Sequence, residues 1–500
     1  MSLFNTISQA LTTERMALQH FQTSLGEVEL RLARQRTEVV ISEGHRQFLE
    51  TRATAVESTC ADMLWQLKRE FFNIVSSEVL LLIFQDVTPD LNEWSTDELY
   101  FDIHLARAPF RLAAVCKRWR CLATSTSTLW TYLALPALRY LTQADVGRVS
   151  CLIRRSQQAP VDVIARWNWA ESTKTTGPHA NAISQLIGSL GHRIRLIHWT
   201  CKRESDYVAL EALRGPTPHL KQLRVRSASQ GAPSIHIGFL PSAPRLKVLE
   251  WTSNHISWSF AAQQYTALTV LTVWGYHNVA SLPPIMGDGL EMLKLLRIVS
   301  NNLEELNLGN SVDGVAFGES VCLELPRLTT LRIRDWDWAR YLRAPALQKV
   351  AVSSTAWQRT TPPSDALQSF ARATHLELFT PCDANDIVGL AQLVNIVTLE
   401  ICATTWIGYE SVGDLSENFL AEAIAHDPSI WPKLKHLRFD TGFMQCPVSD
   451  TDLVAFLRSR NERAATQPEE RVVSRIASVT FDHGLPGWLV QEVSRLTALS

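Results

Sequence analysis

Apolar residues change their rhythm twice along this chain. From about Leu11 to Leu67, where proline is absent, they recur at alternating steps of three and four: Leu18, Phe21, Leu25, Val28 and Leu32, then Val39, Leu49, Ala53, Val56, Cys60, Met63 and Leu67. That rhythm predicts a long helix whose heptad stripe faces another helix. Gln35, Ser42 and Arg46 interrupt the stripe at core positions, and Gly26 and Gly44 each weaken a helix by about 1 kcal/mol relative to Ala. Two readings fit: a coiled coil that self-associates or binds a partner through residues 11–67, or a helical hairpin folded back on its own domain.

Between Phe71 and Pro136 the pattern shortens into compact helical segments. Ser77 is placed to cap a helix over Glu78–Asp86, with Glu78 in the first turn where the helix dipole favours an acid, and Thr88-Pro89-Asp90 ends it. A polar insertion runs from Leu91 to about Pro109. Phe110, Leu112, Val115, Cys116, Trp119 and Leu122 then keep helical spacing on one segment, with Arg111, Lys117, Arg118 and Arg120 on its other face. Thr128 is expected to cap a short turn bearing Leu129 and Trp130.

From about Ala137 onward the rhythm becomes Leu-x-x-Leu-x-Leu, repeated. It reads Ile194-Ile197-Trp199, Leu220-Leu223-Val225, Leu246-Leu249-Trp251, Leu268-Leu271-Val273 and Leu303-Leu306-Leu308, then Leu328-Leu331-Ile333, Leu347-Val350-Val352, Ala373-Leu376-Leu378, Ile396-Leu399-Ile401, Leu434-Leu437-Phe439 and Ile476-Val479-Phe481. Recurrence at about two dozen residues is the signature of a leucine-rich-repeat solenoid, in which each short strand hides its apolar side only by stacking on a neighbour. Helices are expected between strands at Asp206–Leu213, Leu290–Ile298, Asp365–Ala371 and Asp452–Arg458, and proline leads into several strands, as at Pro218, Pro244, Pro326, Pro345 and Pro432. The expected fold is therefore mainly an α/β solenoid: a long helix over residues 1–70, a helical domain over 71–136 and a repeat domain over 137–500.

Composition narrows the function. With 48 Lys plus Arg against 50 Asp plus Glu, the net charge of −2 provides no field toward nucleic acid or acidic membranes. The 9 cysteines are scattered without a CxxC pair, which fits reduced thiols in a cytoplasmic or nuclear protein. The start of the chain has no apolar secretory segment, and Val79–Phe84 is far too short to cross a bilayer, so no membrane partner is expected. Walker A, GxGxxG, HExxH and G-x-S-x-G patterns are absent, and His198, His236, His255 and His375 have no spacing that makes a metal cluster. Cys116 and Cys121 are read as packing residues. No enzyme, cofactor or metal is expected.

The 71–136 segment resembles the F-box family. That family's pattern is a Leu-Pro-x-Glu opening, an Ile/Leu-rich first helix ending in Ile-Phe, Val-Cys-Arg-x-Trp on the second helix, and a final Leu-Trp. This chain has Val75-Ser76-Ser77-Glu78, then Val79-Leu80-Leu81-Leu82-Ile83-Phe84, then Val115-Cys116-Lys117-Arg118-Trp119-Arg120, then Leu129-Trp130, over about an eighth of its length. The opening departs from the family in lacking Leu-Pro, and the insertion is long, as in the variant common among fungal F-box proteins. The resemblance implies a substrate-recognition adaptor that joins a Skp-type adaptor and a cullin scaffold to a target protein, leaving ubiquitin transfer to the associated enzymes. It carries adaptor contact to Glu78, Val79, Leu82, Ile83, Leu112, Val115, Trp119 and Trp130, some of which must instead build the domain's own core. A ligase-independent scaffold with a degenerate F-box is the alternative.

Target contact is expected on the strand face opposite the intervening helices, where Gln222, Arg224, Arg226, Glu250, Thr272, Trp274, Glu305, Asn307, Arg332, Arg334, Glu377, Glu400 and Arg438 alternate with the apolar anchors. Trp274, Arg332, Arg334, Trp336 and Trp338 are the candidate patch, because Trp and Arg bury large areas or make forked hydrogen bonds at interfaces. Solvated alternating charge, with tryptophans filling loops, is the competing reading. Trp167 and Trp169 are expected to pack the junction before the first repeat.

Overall fold

The structure, a computed structural model, describes residues 2–88, 103–135, 142–165, 180–201, 215–227, 235–237, 242–252, 256–258, 265–274, 288–309, 322–333, 336–353, 368, 370–379, 390, 392–402, 430–440, 450–466, 473–481 and 486–498. It divides into two compact units, residues 1–82 and 83–500.

The first unit is dominated by helix α1, Ser2–Ile74, unbroken over 73 residues. Of the two readings of the stripe, a hairpin within residues 2–74 is therefore not formed. Gly26 and Gly44 pass through α1 with nothing within 4 Å of where a Cβ would stand. Threonine hydroxyls that would otherwise compete with the backbone bond back one turn, as Thr23 Oγ1 to the Gln19 carbonyl and Thr37 Oγ1 to the Ala33 carbonyl, both at 2.9 Å. The heptad stripe is open from Leu18 to Met63, with Phe21 76% exposed.

Helix α2, Ser77–Val87, begins in the first unit and ends in the second. Ser76, rather than Ser77, caps it: the Val79 amide donates to Ser76 Oγ at 3.3 Å and the Leu80 amide to the Ser76 carbonyl at 3.1 Å. Leu80 and Phe84 are wholly buried, whereas Val79, Leu82, Ile83 and Val87 are exposed, Leu82 on the side opposite the buried pair.

In the second unit, α3 (Ile103–Ala106) and α4 (Ala108–Val115) occupy the end of the stretch expected to be a polar insertion, and Ala106, Ala108 and Pro109 are buried. The single helix expected across Phe110–Leu122 is in fact two. Cys116 is extended, its Sγ accepts the Trp119 amide at 3.4 Å, and α5 (Lys117–Ser125) starts anew from it. Arg120 Nε bridges the break to the Ala113 carbonyl at 2.9 Å. Restarting the helix turns Val115, Cys116 and Cys121 outward, so neither cysteine is the packing residue its spacing suggested. The next turn, Ser127–Trp130, has Thr126 at its cap position, not Thr128 as expected, and lacks a side-chain cap.

Among the described residues seventeen strands follow: β1 (Tyr132–Leu135), β2 (Val161–Ala165), β3 (Ile194–Cys201), β4 (Gln222–Ser227), β5 (Ile235–Ile237), β6 (Val248–Thr252), β7 (Ile256–Trp258), β8 (Val270–Trp274), β9 (Glu305–Leu308), β10 (Leu323–Glu324), β11 (Thr330–Ile333), β12 (Leu342–Arg343), β13 (Lys349–Ser353), β14 (His375–Phe379), β15 (Thr398–Cys402), β16 (His436–Asp440) and β17 (Ser478–Phe481). Thirteen of them form one open parallel sheet in sequence order, while β5–β7 and β10–β12 make two small parallel pairs. Every strand of the eleven expected repeats is in the large sheet. The two unforeseen members, β1 and β2, are buried throughout; a strand covered on both sides loses the alternating signature, and the one polar residue of β2, Asp162, is buried and paired with Arg195. Helix α6 (Gln143–Ser156) lies between them in sequence, opened by a Thr142–Asp145 capping box. Helix α7 (Ala180–Ser189) precedes β3.

Eight of the eleven repeats enter their strands by the same device. The first anchor is buried and its amide donates to the carbonyl three residues back: Leu220 to Thr217, Leu246 to Ala243, Leu268 to Tyr265, Leu328 to Leu325, Leu347 to Ala344, Ala373 to Phe370, Ile396 to Leu393 and Leu434 to Trp431, all at 2.9–3.3 Å. The later anchors form one apolar sheet face, Leu223, Leu249, Leu271, Leu306, Leu331, Val350, Leu376, Leu399 and Leu437 in register and each no more than 2% exposed. The helix expected at Leu290–Ile298 is present as Asp288–Val299, and that at Asp452–Arg458 is longer, Asp450–Thr466. Asp206–Leu213 and Trp167 and Trp169 lie outside the described residues, and Asp365–Ala371 largely does.

The last strands are closed by buried polar groups. Arg460, 1% exposed, donates to the carbonyls of Ile430 (2.8 Å), Trp431 (2.5 Å) and Ser474 (3.2 Å), while Asn461 accepts the Ile476 amide at 2.9 Å and donates to the Leu496 carbonyl at 2.8 Å. Burial lowers the Arg460 pKa to about 10.

Candidate interaction surfaces

Two surfaces carry the residues singled out by sequence. The first is the helical segment before the sheet. Trp130 is fully buried, its Nε1 donating to the Ala123 carbonyl at 2.6 Å, with Phe110 edge-on at a 5.0 Å centroid distance and the Arg155 guanidinium 4.3 Å from the ring centroid. Trp119 is also buried and meets Phe84 edge-on at 4.8 Å. Leu112, on α4, is buried as well. These three side chains are interior and leave the set of adaptor-contact candidates. Glu78, Val79, Leu82, Ile83 and Val115 are exposed. Exposed apolar side chains such as these are available to a partner.

The second surface is the sheet face opposite the leucine anchors. Register aligns one residue per strand into a row: Ala134, Ile164, His198, Arg224, Glu250, Thr272, Asn307, Arg332, Ala351, Glu377, Glu400, Arg438 and Thr480. At its start the row is apolar, and Ala106 of α3 packs there with Tyr132, Ala134, Ile164 and Leu196. From His198 onward it is polar except at Ala351.

That polar stretch is mostly buried and internally paired. Glu250 accepts from Arg226 Nε at 2.6 Å and lies 3.7 Å from Arg224 Nη1. Asn307 donates to Thr272 Oγ1 at 2.8 Å and to Glu305 Oε1 at 3.0 Å. Glu377 takes Lys349 at 2.6 Å and Arg332 at 3.5 Å, the latter reaching across β13 over the small side chain of Ala351. Lys349 and Arg438 flank Glu400 at 3.6 and 3.3 Å. The carboxylates sit deep, with Glu377 7% and Glu400 13% side-chain exposure, whereas Arg332 keeps 32% and Arg438 51%. The groups that face outward are cations tethered by acids beneath them. Near this network His375 is held below the ordinary histidine pKa, first by burial and then by the Lys349 charge, against the raising effect of Glu400 and Glu377.

The structure thus separates the row's members. Arg224, Glu250, Thr272, Asn307 and Glu377 are buried framework rather than open contact residues. Of the candidate patch, Arg332 remains partly exposed. Trp338, in the turn Trp336–Tyr341, is 2% exposed and fills the interior, so it leaves the patch. Trp274 ends β8 and Trp336 opens that turn. Arg334 lies outside the described residues. Lys349 was missed. It stands two residues before Ala351, and the period of two places both on the same face.

Among the described residues no group of His, Cys, Asp and Glu could hold a metal ion, and no helix is long and apolar enough to cross a membrane. No protein-family model and no curated protein matches this chain.

Proposed function

We propose that this chain is a substrate-recognition adaptor of a Skp–cullin–F-box ubiquitin ligase, with the helical segment docking on a Skp-type adaptor and the leucine-rich repeats holding a target protein. Recruitment alone accounts for the acceleration: it raises the local concentration of target lysines near the ubiquitin thioester without an acid or base from this chain. The observation that carries the reading is the sorting of the F-box-like positions. Trp119 and Trp130 build the interior, whereas Val79, Leu82, Ile83 and Val115 remain open to a partner. The outward cations Arg226, Arg332, Lys349 and Arg438 suit a target segment rich in carboxylates. A ligase-independent scaffold is the second reading, favoured by Val75-Ser76 standing where the family has Leu-Pro.

Co-purification of the full chain with a Skp-type adaptor and a cullin tests the first reading. Leu82→Glu and Val115→Glu are each expected to abolish capture while leaving thermal unfolding unchanged, because both side chains are already exposed. Target capture by the wild-type chain without any Skp-type adaptor would move the conclusion to the scaffold.

A further inference from the structure

We propose that α1 pairs with α1 of a second copy of this chain as an antiparallel coiled coil centred between Ala33 and Arg34. The inference stands apart from the adaptor reading. Its starting point is exposure: Ile7, Leu11, Leu18, Phe21, Leu25, Val28, Leu32, Val39, Leu49, Val56 and Met63 share one heptad seam and are all 47–76% exposed. A helix owes most of its stability to a packed apolar face, and a seam this long is a two-helix surface. From Ile7 to Cys60 it runs for about 80 Å at roughly 1.5 Å per residue.

Charge selects the occupant and its direction. Beside the seam lie Arg15, Glu29, Arg31, Arg36, Glu38, Glu43, Glu50, Arg52 and Glu57. In the antiparallel register centred at Ala33 and Arg34, Arg31 stands opposite Glu38 of the second copy, Glu29 opposite Arg36 and Arg15 opposite Glu50, and twofold symmetry makes each pair twice. A parallel pair would instead set Arg31 against Arg36 and Glu38 against Glu43, with Arg52 against Glu57 as its one acid–base pair. Sliding the antiparallel pair by one heptad either way puts like charges together, Arg31 on Arg31 and Glu29 on Glu29, or Arg36 on Arg36 and Glu38 on Glu38.

The seam's polar defects agree with this register. Leu18 meets Leu49, Val28 meets Val39, Leu11 meets Val56 and Ile7 meets Cys60. Gln35 lies against Leu32, Ser42 against Leu25, and Arg46 against the Phe21 ring, a favourable cation–ring contact. Parallel pairing would bury Arg46 against Arg46 and Glu14 against Glu14, each an uncompensated like-charge pair. The interruptions that look like faults along one helix become tolerable partners across two antiparallel ones.

Sedimentation equilibrium of the full chain over a wide concentration range tests the proposal, with circular dichroism following helix content. The expected species has twice the 56.2 kDa chain mass. Arg31→Glu is expected to raise the dimer dissociation constant about tenfold, since two attractive pairs become repulsive, and Glu38→Arg added to it is expected to restore binding to within about threefold. In a parallel pair Arg31→Glu would tighten association, because residue 31 would then face Arg36. A monomer at all concentrations, an assembly larger than two chains, tighter association of Arg31→Glu, or no rescue by the double variant would each overturn the proposal.

Discussion

Helix α1 and the parallel sheet are written in the same alphabet of spaced leucines, yet they treat those leucines in opposite ways. Leu271, on β8, is wholly buried; Leu25, on α1, is 61% exposed. In the sheet each strand brings its own neighbour, so the chain covers its apolar face with its next repeat. In α1 the period runs along one element, and nothing in that element can fold back to meet it. A repeated apolar position announces that a face needs covering. It does not say whether the cover lies in the same molecule.

The sharpest way to break this contrast is the same substitution in both places. Leu271→Ala is expected to destabilise the 83–500 unit by about 2–5 kcal/mol, the cost of removing a buried leucine and leaving a cavity, read as a shift of the chemical denaturation midpoint. Leu25→Ala is expected to leave that midpoint unmoved and to weaken self-association instead. Equal effects of the two on the midpoint would show that the α1 stripe is covered within the chain.

A smaller effect tests whether the polar row of the sheet is framework. Glu377→Gln keeps the shape but removes the charge that holds Lys349 at 2.6 Å and Arg332 at 3.5 Å. A loss of about 1–3 kcal/mol is expected, because two partly buried cations lose their shared acid. No loss would mean that the row is an open surface whose charges solvent can satisfy.

The smallest change sharpens the helix side. Gly26→Ala and Gly44→Ala meet no neighbouring atom, so each is expected to stabilise α1 by about 1 kcal/mol. Proteolysis within residues 2–74 should slow while the denaturation of the sheet is unchanged.

Parts of this architecture could be read directly. The stripe on α1 and the eleven repeat strands were legible because periods of 3.5 and 2 leave regular marks. β1 and β2 were not, since strands buried on both faces lose their alternation. The break at Cys116 was also hidden: Phe110, Leu112, Val115, Trp119 and Leu122 keep helical spacing, and only the extended Cys116 backbone turns Val115 outward. The candidate surfaces were legible as sets of residues but not as roles. Trp119, Trp130 and Trp338 have the chemistry of interface anchors, and the structure buries all three.

The chain's sequence by itself determined where helix and strand periods run, and so which side chains share a face. Tertiary structure alone decided which of those faces are closed. Burial of Arg224, Glu377 or Trp130 depends on groups far away in sequence arriving at one place, Glu250 on the next large-sheet strand, Lys349 on a neighbouring one, Arg155 on the following helix α6. Local spacing contains no record of such meetings, because the free energy of covering a surface belongs to both partners at once.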